Sequence, residues 1–143
     1  MDGDYIKTLS NDEKLAFLRI FCAMVRADGT VDAEEISFLK EISLRYGIDN
    51  ATVIDIIKNA ASINHIDQAH KITDRKHALQ LIKELCVLAN IDEDLHDNEL
   101  DIIIDVARAC NVEDDKVVLI NRWVLDSFIL SKTGEIILEQ NNG

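Results

Sequence analysis

The chain has 143 residues, a formal net charge of −12 and no proline. That length bounds it to one domain around a single core, and an acidic balance without clustered Lys and Arg argues against general binding to nucleic-acid phosphates. Scarce glycine and few aromatics amid abundant Leu, Ile, Ala, Glu, Asp and Lys point to an all-α fold rather than a strand-rich one.

The opening residues, MDGDYIKTLSNDEK, are acidic and lack the basic and apolar regions of a signal peptide. A first helix is predicted to start after Ser10, with Glu13 closing a capping box and a stripe of Leu15, Leu18, Cys22 and Val25. It should end near Ala27, before the Asp28-Gly29 turn. A second helix takes Asp32 as N-cap, with Glu35 three residues on, a stripe of Ile36, Leu39, Ile42 and Tyr46, and Gly47 as its stop. A third follows Asn50 with Val53, Ile56, Ile57 and Ala60 inward.

The polar stretch Ser62 to Thr73 reads as a connector. A fourth helix then spans about Asp74 to Asn90 with Leu79, Ile82, Cys86 and Ala89 inward. A fifth starts at His96 or Asp97, carries Leu100, Ile103, Val106 and Cys110, and stops at Asn111, the second choice for a left-handed C-cap. A sixth runs from Asp114 to about Leu130 with Val117, Ile120, Val124 and Phe128 spaced for burial and Trp123 off that stripe. The tail, 131–143, is read as a turn at Gly134 followed by a short apolar patch and a polar end.

A gapless internal match organises these elements: Cys22 to Asp49 returns sixty-four positions later as Cys86 to Glu113. Apolar positions fall on apolar positions, Leu15 on Leu79 and Val53 on Val117, while Asp28 and Glu35 fall on Asp92 and Glu99. The expected architecture is one domain of two tandem three-helix repeats, about 11–63 and about 74–130, joined by the connector at about 62–73.

Capping explains much of each acidic turn. Asp32 and Glu35 form a D-x-x-E signature, and Asp28-Gly29 is an ordinary turn dipeptide. Capping leaves one aspartate per repeat unexplained, because Asp28 and Asp92 follow a helix C-terminus, where the dipole disfavours negative charge. A bound cation would relieve both. Oxygen ligands select Ca²⁺, Mg²⁺ or Mn²⁺ before Zn²⁺, giving candidate metal ligands Asp28, Asp32 and Glu35, then Asp92, Asp94 and Glu99, with His96 a further candidate that would shift the second site towards a transition metal. Neither turn is an EF-hand loop: position twelve is Leu39 in one and Ile103 in the other, where that loop requires Glu.

No Gly-rich phosphate loop, nucleophile elbow or HExxH is present, so no catalytic residues are assigned and no enzyme is expected. His70, Asp74 and His77 approach zinc spacing, but His70 sits in the connector. Cys22, Cys86 and Cys110 show no CxxC pairing and read as core residues of a reducing compartment. Charge is uneven: Asp92 to Asp115 is acidic apart from Arg108, whereas Lys58 to Lys83 is rich in Lys, Arg and His. If these segments face apart, the surface is polarised towards a charged partner.

The pattern of an apolar helix, A-D-G-x-V-D-x-x-E, and a second apolar helix ending in Y-G-I resembles the TerB-like tellurite-resistance family. The same fold occurs beside a J-domain in DnaJ-like membrane co-chaperones. The resemblance spans about Leu15 to Phe128; the second motif departs from it, with Glu93 for the glycine and His96 for the second acid. It implies a non-enzymatic module of stress-response systems that binds divalent metal through Asp28, Asp32, Glu35, Asp92 and Glu99 and works with membrane-bound protein partners. The expectation is a cytoplasmic protein, peripheral to the inner face of the membrane through those partners. The alternative is a metal-free adaptor recognising partners through its charged faces. An exposed Trp123, or an apolar patch at Ile136 to Leu138, would favour that adaptor and also self-association into a homo-oligomer.

Overall fold

A computed structural model describes residues 4–27, 33–91 and 97–139. Among them lie seven α-helices: α1 (Asn11–Arg26), α2 (Ala33–Tyr46), α3 (Asn50–Lys58), α4 (His65–Ala69), α5 (Arg75–Asn90), α6 (Asp97–Ala109) and α7 (Asp114–Glu139). Single 3-10 turns at Asp4–Thr8 and Ala60–Ser62 complete the described residues, which contain no strand. The fold is an all-α bundle.

Local signals set the helix ends. Ser10 and Glu13 form the expected capping box: Ser10 Oγ accepts from the Glu13 N–H at 3.1 Å and Glu13 Oε1 accepts from the Ser10 N–H at 2.9 Å. Asp49 and Asp74 cap α3 and α5 by accepting from the N–H groups of Thr52 and His77, each at 3.1 Å. Gly47 (φ 70°) and Asn111 (φ 61°) hold the left-handed positions that stop α2 and α6. The starts of α1 and α5, of α2 and α6, and of α3 and α7 all lie sixty-four residues apart.

Helices α1 and α5 form the centre. Phe17, Leu18, Ile20, Phe21 and Met24 on one, and Leu81, Ile82 and Leu85 on the other, are fully buried. Burial on nearly every side of these two helices is why their apolar residues exceed one stripe. Helices α2, α3, α4, α5 and α6 pack on α1, while α6 and α7 pack on α5. Phe17 and Phe21 meet edge to face, and Phe21 meets Phe38 of α2 likewise, with ring centroids 6.2 and 5.6 Å apart.

Four expectations need correction. The connector is not a bare loop, since it contains α4, whose Ala69 is fully buried, and Ile72 just beyond it is buried too. No turn occurs at Gly134. The helix continues to Glu139, because one glycine costs only about 1 kcal/mol against alanine and good helix formers surround it. Ile36 and Ile57 are not buried: they line an open apolar groove beside Val25 and Leu39 and remain 42% and 43% exposed. Asn50 lies inside α3, because Asp49 takes the cap.

The N-terminal 3-10 turn closes the bundle. Tyr5 is buried, lies 3.1 Å from the Tyr46 hydroxyl, and donates to Glu84 Oε1 at 3.2 Å. Burial, then the Glu84 charge, pushes the Tyr5 hydroxyl well above the usual phenol range. Lys83 Nζ lies 3.3 Å from the same carboxylate oxygen, so the buried Glu84 charge is compensated.

Candidate functional site

Of the candidate ligands, Asp28, Asp32, Asp92, Asp94 and His96 lie outside the described residues. Glu35 and Glu99 lie inside them, each in the first turn of its helix, α2 and α6. They are 3% and 2% exposed, whereas the neighbouring Glu34 faces solvent. Burying a carboxylate is costly unless it is compensated, and neither of these is without a partner. Among the described residues no three His, Cys, Asp or Glu side chains gather closely enough to hold an ion.

The weaker candidates have other employment. His77 Nδ1 lies 2.8 Å from Glu13 Oε2, and its Nε2 lies 2.8 Å from Thr8 Oγ1. Both ring nitrogens are taken, and Asp74 caps α5, so His70, Asp74 and His77 form no zinc site. Burial pushes the Glu13 carboxyl up, but the Ser10 N–H and His77 outweigh it and hold Glu13 below the usual range. All three cysteines are free and buried. Burial pushes the Cys22 and Cys86 thiols up to about 12 and Cys110 to about 11, which leaves them poor nucleophiles.

The basic and acidic segments touch at two places among the described residues. Arg75 Nη2 meets Glu113 Oε2 at 2.9 Å, and Arg75 Nη1 donates to the Asn111 carbonyl at 3.3 Å. His65 Nε2 lies 3.1 Å from Asp105 Oδ2. These contacts join one segment to the other within the molecule, the second because α4 packs on α6.

Helix α7 presents a different surface. Val117 and Val124 are buried against the bundle, with Ile120 and Phe128 partly so. Beyond Phe128 the continuation of that stripe turns polar with Ser131, Lys132 and Glu135, which line an open groove of about 580 Å³ together with Leu125, Phe128 and Ile129 and with Asn90 and Ile91 of the α5 end. Many apolar residues of α7 nevertheless stay open to water: Trp123 is 56% exposed and Leu130 74%, and Val118, Leu119, Ile129, Ile136, Ile137 and Leu138 are also exposed. Trp123 and the patch at Ile136 to Leu138 were visible in the sequence. Leu119, Leu125, Ile129 and Leu130 were not singled out; the available signal was a second helical periodicity, offset from the core stripe.

The family model described as tellurite resistance protein TerB matches residues 14–122. The chain belongs to the TerB family. The match reaches from α1 into α7 and takes in both acidic turns. The fold is also similar to a crystal structure of a protein of unknown function from Porphyromonas gingivalis W83, with a TM-score of 0.55 and 24% identity over 82% of this chain and 97% of that one. No curated protein matches the sequence. Among the described residues of this TerB-family chain, no helix is long and apolar enough to cross a membrane.

Proposed function

We propose that this TerB-family chain is a non-enzymatic interaction module, built as two three-helix units, working in the cytoplasm with protein partners in a tellurite-resistance-type stress response. The observation that carries this reading is the outer face of α7, where large apolar side chains, Trp123 and Leu130 foremost, lie open to water. Large apolar side chains exposed in such number along one helix mark an interaction surface. Adaptor action through this face replaces adaptor action through charged faces. The test is survival under tellurite of cells whose only copy carries Leu130→Asp or Trp123→Ala, with helix content confirmed by circular dichroism. Loss of protection supports the reading, and wild-type survival for both folded variants overturns it.

The burial of Glu35 and Glu99 supports a second reading, in which a divalent ion is held at each acidic turn. Glu35 would act with Asp28 and Asp32, and Glu99 with Asp92, Asp94 and His96. A hard ion such as Ca²⁺, Mg²⁺ or Mn²⁺ suits those oxygens better than Zn²⁺. Calorimetric titration of the metal-stripped protein should give saturable heat that weakens in Glu35→Gln, an isosteric change that preserves packing. Absence of saturable heat for all these ions below millimolar concentration removes the ion reading and leaves capping.

A further inference from the structure

We propose that the apolar groove between α1, α2 and α3 binds a free alkyl carboxylate of medium length, with its hydrocarbon chain against Val25, Leu39, Val53 and Ile57 and its head group met by Arg26 and Lys40. This site is separate from α7 and does not depend on the reading of that helix.

The groove exists because α3 is short. It ends at Lys58 and the chain turns away through Ala60–Ser62, whereas α7, whose start lies sixty-four residues after that of α3, runs on to Glu139. Ile36, Val53 and Ile57 are each less covered than Leu100, Val117 and Asn121, the residues sixty-four positions on. There Asn90 Nδ2 donates to Asn121 Oδ1 at 2.9 Å and ties α5 to α7. The matching pair on α1 and α3 is Arg26 and Ile57, which cannot form such a bond. What remains open has a volume of about 470 Å³, within the roughly 300–1,000 Å³ of small-molecule sites. Its α3 wall, Asn50 to Ile57, is about 10 Å long at about 1.5 Å rise per residue, which suits an extended alkyl chain such as that of decanoate.

Charge selects the head group. The chain has 27 acidic residues against 15 Lys and Arg, yet among the described residues lining this groove the charged ones are Arg26 and Lys40 alone. Sixty-four positions on, their counterparts are the neutral Asn90 and Ile104, so the cations accompany the open groove and not the closed one. Both are exposed, and neither makes an ion pair with a described residue. The helix offers Lys40 no acidic neighbour either, since Ile36, Ser37, Ser43 and Leu44 stand three and four residues away. Their methylene stems can lie along apolar surface while the charged ends stay at the rim. An apolar floor with cations at the edge and no acid among its described lining favours an anionic amphipath over a neutral or cationic one.

The test is calorimetric titration of the full chain with decanoate below its micelle concentration, with amide chemical shifts followed by nuclear magnetic resonance. Saturable binding of one decanoate per chain is expected, with the shifts concentrated in 22–26, 36–40 and 50–60. Arg26→Gln combined with Lys40→Gln should weaken binding roughly five- to tenfold, the scale of two exposed charge contacts. Ile57→Asp should abolish it by placing a carboxylate in the groove, while Leu130→Asp on α7 should leave it unchanged. Decyltrimethylammonium, with the same chain and the opposite charge, should bind at least roughly tenfold more weakly. Circular dichroism checks the variants; if Ile57→Asp loses helix content, the Arg26 and Lys40 variant decides. The proposal is overturned if decanoate gives no saturable heat, if the ammonium binds as tightly, or if Leu130→Asp weakens binding as much as the groove variants do. Capture of the chain by phosphatidylglycerol vesicles without binding of free decanoate also overturns it, in favour of a membrane surface.

Discussion

Replacing Tyr5 by Phe tests the closure of the bundle at a single oxygen atom. That oxygen lies 3.1 Å from the Tyr46 hydroxyl and donates to buried Glu84 at 3.2 Å. The ring stays, so its stacking on Phe17, with centroids 6.4 Å apart, is retained and no large cavity opens. What is lost is the hydrogen bond to a buried charged group, worth roughly 1.5–3 kcal/mol, together with the contact to the Tyr46 hydroxyl, with Lys83 left as the named partner of Glu84. Urea unfolding should show that loss as a lower midpoint with an unchanged slope. A double-mutant cycle sharpens the assay. Removing both ends, Tyr5→Phe with Glu84→Leu, should cost less than the sum of the single changes by about 1 kcal/mol or more, because the second change removes the group that the first left short of a partner. A Tyr5→Phe cost below about 0.5 kcal/mol, or strict additivity, would refute the idea that this contact closes the N-terminus.

Asn111→Ala should destabilise by about 1–2 kcal/mol, since φ 61° crowds a Cβ that lacks the asparagine's local bonding, while Asn111→Gly should be neutral or better in the same urea assay. The lowered Glu13 carboxyl stabilises the fold fully above its ordinary range and loses that contribution as pH falls through the lowered value. Urea midpoints followed from pH 6 downward should therefore drop more for wild type than for Glu13→Gln; identical profiles would contradict this. The three thiols should react slowly with an aromatic disulfide reagent at about pH 8 until denaturant is added, and a rapid three-thiol burst from native protein would show the burial argument to be wrong.

Short-range chemistry made much of this fold legible. The Ser10–Glu13 box, Gly47 and Asn111 each act within a few residues, so their sequence context suffices. Tyr5 was not foreseen as a closing residue because its partner Glu84 is remote in sequence and only the folded chain brings them together. Helix α4 escaped notice because most of its side chains are polar and its buried contribution reduces to Ala69. The α7 extension was missed because Gly134 reads as punctuation, yet a lone glycine is too weak a breaker within an otherwise favourable helix. At the acidic turns, spacing pointed to Glu35 and Glu99 but could not distinguish a solvated cap from a buried carboxylate. That difference depends on what packs against the first turns of α2 and α6 in the folded chain.

Helix α4 is five residues long and too short to persist on its own. It is held between α1, which leads into the first acidic turn, and α6, which leaves the second. It behaves as a shared bearing: a disturbance that lifts either neighbour removes the seat on which the other rests. Hydrogen exchange at the backbone amides of α4 should therefore respond to a change at either turn, making this modest connector a gauge of how tightly the two ends of the molecule are geared together.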